Sequence, residues 1–254
     1  MATPAGSEKV TGAYLIGADG AYSTVLRSVG IAFDGLTFPE LWLLASTPYD
    51  FARRFDDLAP IAYVTDPDGW FVFVRVPGLW RILVPARAHE TAESIVEEEN
   101  LQARMQRVCP KRGSYEIVHR TAYPIHQRVA GSYRKGRVLL AGDAAHINNP
   151  LGGMGMNGGI HDAVNLAAKL APVWHGEAAA ETLDRYERQR RPIALDYVQA
   201  ATLRNKELLE ETDDALRHRR QDELSRTAAD PAKAREYLLR SSMISALRHA
   251  ETLR

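Results

Sequence analysis

The hydrophobic pattern changes character several times along the chain. After a turn-rich lead-in over residues 1–12, MATPAGSEKVTG, the run AYLIGADG is a short apolar stretch stopped at Asp19-Gly20. It predicts a buried strand ending in a turn. AYSTVLRSVG predicts a short helix with Ser23 or Thr24 near its start and Gly30 at its end. From about Leu41 to Arg87 the pattern is β-like: LWLLAS, IAYVTD, GWFVFVRV and WRILVPA, separated by the hairpin signals DPDG and PG. AESIVEEENLQARMQRVCP predicts one amphipathic helix, with Ile95, Leu101, Met105 and Val108 on its buried side, Glu97 to Glu99 solvated and Cys109 filling its end. SYEIVHRTAYPIHQRVA returns to strand, and GRVLLAG predicts a second buried strand. After a glycine-rich loop the rest reads as helix. MNGGIHDAVNLAAKLA is apolar nearly all round, which predicts a buried helix. In the tail from Asn205, LRHRRQDELSR mixes both signs of charge and predicts a solvent-facing helix.

Composition narrows the classes. The 254 residues are 45% hydrophobic and 25% charged, enough for a sizeable core. Lys+Arg and Asp+Glu both number 32, so net charge offers nothing for nucleic acid or an anionic membrane. Cys109 is the single cysteine, which excludes a disulfide framework and a cysteine zinc site, and the eight histidines lack metal spacing. No apolar run approaches membrane-spanning length and no signal-peptide pattern opens the chain. The expectation is a cytoplasmic protein.

The candidate chemistry lies at two strand ends that echo one another, YLIGADGAYS and VLLAGDAAHI. Each leads through small residues to an aspartate at the C-terminal edge of a strand, where open α/β sheets bind ligands. Asp19 or Asp143 alone also reads as a turn former or helix cap. The stretch after Asp143 shifts the balance. Between Gly142 and Gly159 stand six glycines (142, 152, 153, 155, 158 and 159) of the chain's 18, around Pro150. Tight helix–strand packing explains one or two of them. Six fit a backbone whose N–H groups receive a flat or anionic ligand at the start of a helix. His146 reads first as a packed corner histidine bonding backbone, and Met154 and Met156 as core filling or ligand contacts.

GRVLLAGDAAHINNPLGGMGMNGGIHDAVNLAAKL closely resembles the second FAD-binding motif of the class A flavin-dependent aromatic monooxygenases, the family of para-hydroxybenzoate and phenol hydroxylases. YLIGADGAYSTVLRSVGI is similar to their Asp-Gly motif, and LDRYERQRRP to the helix that comes next; the likeness covers about Ala13 to Pro192. It implies a mixed α/β fold: a Rossmann-like FAD-binding domain with an inserted β-sheet substrate domain and a helical C-terminal tail. The expected division is 1–34 and 126–195 for the FAD-binding domain, 35–125 for the substrate domain and 196–254 for the tail. The resemblance also implies the site. Asp143, after Gly142, bonds a ribityl hydroxyl of FAD; Pro150 and the backbone of Gly152, Gly153, Met154, Gly155, Met156 and Asn157 line the isoalloxazine. Asp19, Gly20 and Arg27 belong to the Asp-Gly motif, where Arg27 orients cofactor or nicotinamide unless it is a helix-surface arginine. The implied reaction uses NADH or NADPH to reduce the flavin and O2 to form a hydroperoxyflavin, which hydroxylates a small aromatic, phenol-like substrate.

The family opens with a strand, Gly-x-Gly-x-x-Gly and a helix that hold the ADP half of FAD. No such unit precedes YLIGADG, and GMGMNG (Gly153 to Gly158) lies inside the ring loop. The lead-in ATPAGSEKVTG reads as an interior hairpin of a longer parent. The expectation is therefore a monooxygenase with only the flavin-ring half of its site, the remainder supplied by another polypeptide. An inactive fragment, or a halogenase or reductase of the same fold, are the alternatives.

Overall fold

The computed structural model describes residues 2–3, 6–7, 9–66, 69–87 and 89–254. The chain divides into two compact units, one of Met1–Leu36, Gln127–Thr202 and Pro231–Arg254, the other of Thr37–His126 and Leu203–Asp230. In the first unit β1 (Ala2–Thr3) pairs antiparallel with β2 (Gly6–Ser7), within the lead-in expected to form a hairpin; Pro4 and Ala5 lie outside the described residues. β3 (Leu15–Gly17) precedes α1 (Thr24–Ser28), whose N-cap is Ser23, its Oγ accepting from Leu26 N.

The second unit is built on an antiparallel sheet. β4 (Phe33–Thr47) starts at Phe33, well before the LWLLAS run that marks it in sequence. With β5 (Ile61–Asp66), β6 (Gly69–Val76) and β7 (Leu79–Pro85) the order is β4-β7-β6-β5. The DPDG signal between β5 and β6 contains Pro67 and Asp68, which lie outside the described residues. Registers set Leu43 opposite Val84, and Phe73 opposite Ile82. By the alternation of strands, these side chains form one core with Phe51 and Trp80, while Trp42, Trp70, Val72 and Leu83 are buried on the opposite face. The sequence predicts one helix over 92–108; the structure has two, α2 (Ala92–Ile95) and α3 (Glu98–Val108). Thr91 and Ser94 close α2 on itself with a reciprocal capping box, and Asn100 Nδ2 donates to the Ser94 carbonyl at 2.8 Å, so Glu97 turns extended (ψ 142°). Ile95, Leu101, Met105 and Val108 are buried as expected. β8 (His119–Ala130) lies beside β4.

The chain then returns to the first unit, and passes through the second again over Leu203–Asp230. β9 (Arg134–Lys135) pairs antiparallel with β10 (Val138–Leu140), and β10 pairs parallel with β3, Leu15 opposite Val138 and Gly17 opposite Leu140. β10 is buried as predicted. β3 is not: Leu15 is 52% and Ile16 44% exposed, because β10 is its one strand partner among the described residues. β11 (His146–Ile147) pairs with the end of β8. α4 (Met154–Trp174) also departs from expectation. It buries the stripe Met154, Gly158, Asp162 and Leu166 and leaves Ile160, Val164 and Trp174 exposed. α5 (Asp184–Pro192) runs into a π-helical segment, Ile193–Gln199, and then α6 (Ala200–Leu209). Pro192 has no N–H to donate and crowds the carbonyl four residues back, and the widened segment begins directly after it. α7 (Asp214–Ala229) buries no residue, as its mixed charge predicts. α8 (Pro231–Ser241) and α9 (Ile244–Thr252) close the chain, Ala246 and Ala250 of α9 packing with Met154, Ile193 and Val198.

Candidate functional site

The parallel register of β3 and β10 brings their C-terminal ends side by side, with Asp19 and Asp143 just beyond them at one edge. Asp19 is fully engaged in its own segment. Its Oδ2 accepts from Thr24 N (2.7 Å) and Val25 N (3.1 Å), its Oδ1 from Ser23 Oγ. Burial pushes this carboxyl up, and the bonds from Ser23, Val25 and Thr24 outweigh it, holding the group below the usual range. Gly20 makes the turn with φ +83°. Arg27 donates to the Tyr22 carbonyl at 2.8 Å and to Thr24 Oγ1 at 3.2 Å, so its guanidinium braces α1 from the surface. Asp143 differs. It is exposed in a single 3-10 turn, Gly142–Ala144, and its carboxylate bonds no group among the described residues.

The glycines have a different distribution of causes from the one read in sequence. Gly142 (φ +63°), Gly152 (φ +106°) and Gly153 (φ +64°) occupy left-handed backbone. A Cβ on Gly158 would stand 2.9 Å from His146 Cε1, and one on Gly159 3.3 Å from the Gly142 Cα. Turn geometry and close packing thus account for five of the six. Gly155, whose Cβ would meet Asn148 Oδ1 at an ordinary 3.4 Å, is the one that neither demand explains. Gly153 is the N-cap of α4; it has no side chain to satisfy the first-turn N–H groups, and no acidic residue sits in that turn. The positive end of a 21-residue helix is left uncapped. Pro150, Gly152 and Asn157 around it are exposed, as is Met156 at 75%; Met154 is core.

Two buried polar clusters, neither picked out in sequence, hold this loop. Asp162 has no exposure and accepts from three directions: Gly142 N (3.0 Å) and His146 Nε2 (2.7 Å) on Oδ2, Arg190 Nε (2.7 Å) on Oδ1. Burial raises the Asp162 carboxyl, but the His146 bond and charge and the Arg190 charge and bond prevail and hold it below the carboxylate range. An ionised acceptor there requires a proton on His146 Nε2. His146 therefore packs at the corner, stacked on Tyr133, but its partner is a carboxylate rather than the backbone expected from sequence. The second cluster fixes the Pro150 turn. Gln127 Oε1 accepts from Asn149 N (2.9 Å), Gln127 Nε2 donates to Thr202 Oγ1 (2.8 Å) and to the Gln199 carbonyl of the π-helical segment (3.3 Å), and Asn149 Oδ1 accepts from Leu151 N (3.0 Å). Asp162 had one sequence signal: it is the single acid of α4, at four-residue spacing from Gly158 and Leu166.

Residues 3–201 match the family model described as FAD binding domain. The chain belongs to this FAD-binding family. Within the family it is 35% identical over 242 residues to para-nitrophenol 4-monooxygenase of Pseudomonas sp. (strain WBC-3), covering 93% of this chain and 59% of that one. It is 34% identical over 223 residues to the 3-(3-hydroxy-phenyl)propionate/3-hydroxycinnamic acid hydroxylase of Comamonas testosteroni, covering 87% of this chain and 37% of the relative. Among solved structures, p-nitrophenol 4-monooxygenase from Pseudomonas putida DLL-E4 superposes with a TM-score of 0.87 at 32% identity, over 97% of this chain and 62% of that one. Aklavinone-11 hydroxylase, solved with FAD and aklavinone, gives 0.74 at 28% identity over 82% of this chain and 40% of that one. The family is the one its two motifs resemble, and this chain spans less than two thirds of these relatives' lengths. No helix among the described residues is long and apolar enough to cross a membrane, and no cluster there suits a metal ion.

Proposed function

We propose that this chain holds the isoalloxazine and ribityl part of FAD in a monooxygenase that hydroxylates a small phenol-like ring with O2 and NADH or NADPH. The observation that carries the reading is the pairing of an exposed Asp143, which has no partner among the described residues, with the uncapped N-terminus of α4 at the end of the loop that follows it. An exposed carboxylate accepts from a hydroxylated chain; uncapped amides donate to a ring that carries carbonyl oxygens and, when reduced, negative charge. Bound FAD supplies the redox and oxygen-transfer chemistry. The chain's own part is to bind and orient. Asp143 accepts from a ribityl hydroxyl, while Pro150 and the backbone from Gly152 through Met154, Gly155 and Met156 to Asn157 line the ring. Asp19, Gly20 and Arg27 shape the neighbouring strand end. The aromatic hydroxylases among the relatives favour ring hydroxylation over the halogenase and reductase alternatives. Residues for the ADP half lie outside 1–254, on this or a separate polypeptide, since within it no Gly-x-Gly-x-x-Gly leads from a strand into a helix. A cytoplasmic location fits the single buried cysteine, Cys109.

The test is titration of the folded chain with FAD and with riboflavin, following quenching of flavin fluorescence. Both flavins bind, because the chain's contacts are to the ring and ribityl chain. Asp143→Ala weakens both by tenfold or more, as a hydrogen bond to a charged acceptor contributes about 1.5–3 kcal/mol. A folded wild-type chain that quenches neither flavin refutes the reading.

A further inference from the structure

The Asp143 corner is exposed, yet it is fixed from beneath. Three segments meet on the carboxylate of Asp162: the corner itself through Gly142 N and His146 Nε2, the third turn of α4 that carries Asp162, and α5 through Arg190. Arg190 Nη2 also donates to the Gly158 carbonyl at 3.3 Å, tying α5 to α4 one turn nearer its N-terminus. Gly158 and Gly159 let the corner approach α4 to a distance that a Cβ at either position would oppose. The backbone amide of Gly142 and the side chain of Asp143 are neighbours in the chain, so whatever holds the first sets the place of the second relative to the α4 N-terminus.

We propose that Asp162 is a positioning residue of the flavin site: its buried carboxylate anchors Gly142 and thereby holds Asp143 in register with the first turn of α4. The proposal rests on the reading of Asp143 and the α4 N-terminus as the flavin-binding pair. A carboxylate is required because Gly142 N and Arg190 Nε are obligatory donors, and His146 Nε2 donates to the same group. Asparagine in its place has one acceptor oxygen and turns its NH2 either towards Arg190 Nε or towards Gly142 N and His146 Nε2 together.

The decisive measurement is hydrogen exchange of the apo chain, which needs no cofactor. In the wild type the Gly142 amide exchanges within tenfold of the buried Leu140 amide, although it belongs to a surface corner. Asp162→Asn speeds exchange at 142–146 at least tenfold and leaves β6 and β7 unchanged. His146→Gln, which keeps the bond to Gly142, has the smaller effect at that amide. A Gly142 amide that exchanges as an open loop in the wild type overturns the proposal even if Asp162→Asn fails to fold. So does an Asp162→Asn chain whose exchange rises uniformly, the mark of a merely structural role. In flavin titration Asp162→Asn raises the riboflavin Kd at least tenfold without altering Asp143 itself; an unchanged Kd also overturns it. A wild-type chain that protects Gly142 but binds no flavin refutes the functional reading separately, and the anchoring is then a feature of the fold alone.

Discussion

The corner after β3 and the corner after β10 share their parts: a strand of a parallel pair, a glycine at positive φ and an aspartate at the sheet edge. They are held in opposite ways. The first is held by its own side chains, Asp19 gripping the amides of Thr24 and Val25 and Arg27 closing over Tyr22. The second is held by a carboxylate from a helix beginning eleven residues later, and its own aspartate takes no part. An acidic side chain becomes available to a ligand when another group performs its structural task. At the β3 corner no other group does so, and Asp19 is occupied.

Four outcomes bear on this contrast, in falling order of size. Arg190→Ala leaves the Asp162 carboxylate buried without its cation, which costs about 3–5 kcal/mol in urea unfolding. A cost near that of an exposed ion pair means the second corner is held no more firmly than the first. The same carboxylate makes the chain acid-sensitive. Because folding lowers its proton affinity, its stabilisation is complete above its ordinary 3.8 and disappears as pH falls through the lower folded value. Asp162→Asn removes that acid limb from stability measured against pH. Gly158→Ala drives a methyl into His146 and destabilises by about 1–3 kcal/mol, whereas Gly155→Ala is neutral or slightly stabilising and weakens flavin binding. Equal thermal shifts for the two would remove the distinction between packing glycine and ligand glycine. Asp19→Ala loses a helix-capping group, about 1 kcal/mol, and leaves riboflavin affinity unchanged. Asp143→Ala inverts that result: its stability stays within about 0.5 kcal/mol of wild type while flavin affinity falls. A stability loss at Asp143 matching that at Asp19 would make both aspartates structural.

Much of the candidate site was legible because its residues are contiguous. The Gly142–Asp143 turn, the loop and the start of α4 succeed one another within a single motif, and the capped α1 carries its own signals at Ser23 and Gly30. The groups that hold the motif were not legible. Asp162 and Arg190 are 28 residues apart, and Gln127 and Thr202 are 75 apart, so no local pattern links them. Exposure was misread where hydrophobicity stood in for burial. Leu15, Ile16, Ile160 and Val164 are as apolar as core residues, but burial needs a neighbour on the far side, and a one-chain pattern does not name the neighbour. The break between α2 and α3 has no local mark, because no Gly or Pro interrupts the run from Ala92 to Val108, while the Asn100 side chain takes the Ser94 carbonyl.

The π-helical segment Ile193–Gln199 acts as a phase shift in the C-terminal half of the chain. A turn closed to the fifth residue takes in one residue more than an α-turn, about 100° of rotation at 3.6 residues per turn. Counting helix faces from Tyr186 straight through to Thr202 therefore points Thr202 the wrong way, and alignments that score periodicity across this stretch will misassign every face beyond it. Deleting a single residue here would preserve helix, length and composition almost intact. It would also swing Thr202 off Gln127, the glutamine whose carbonyl oxygen receives the Asn149 amide. For anyone grafting or shortening this helix, the unit to preserve is an angle rather than a sequence.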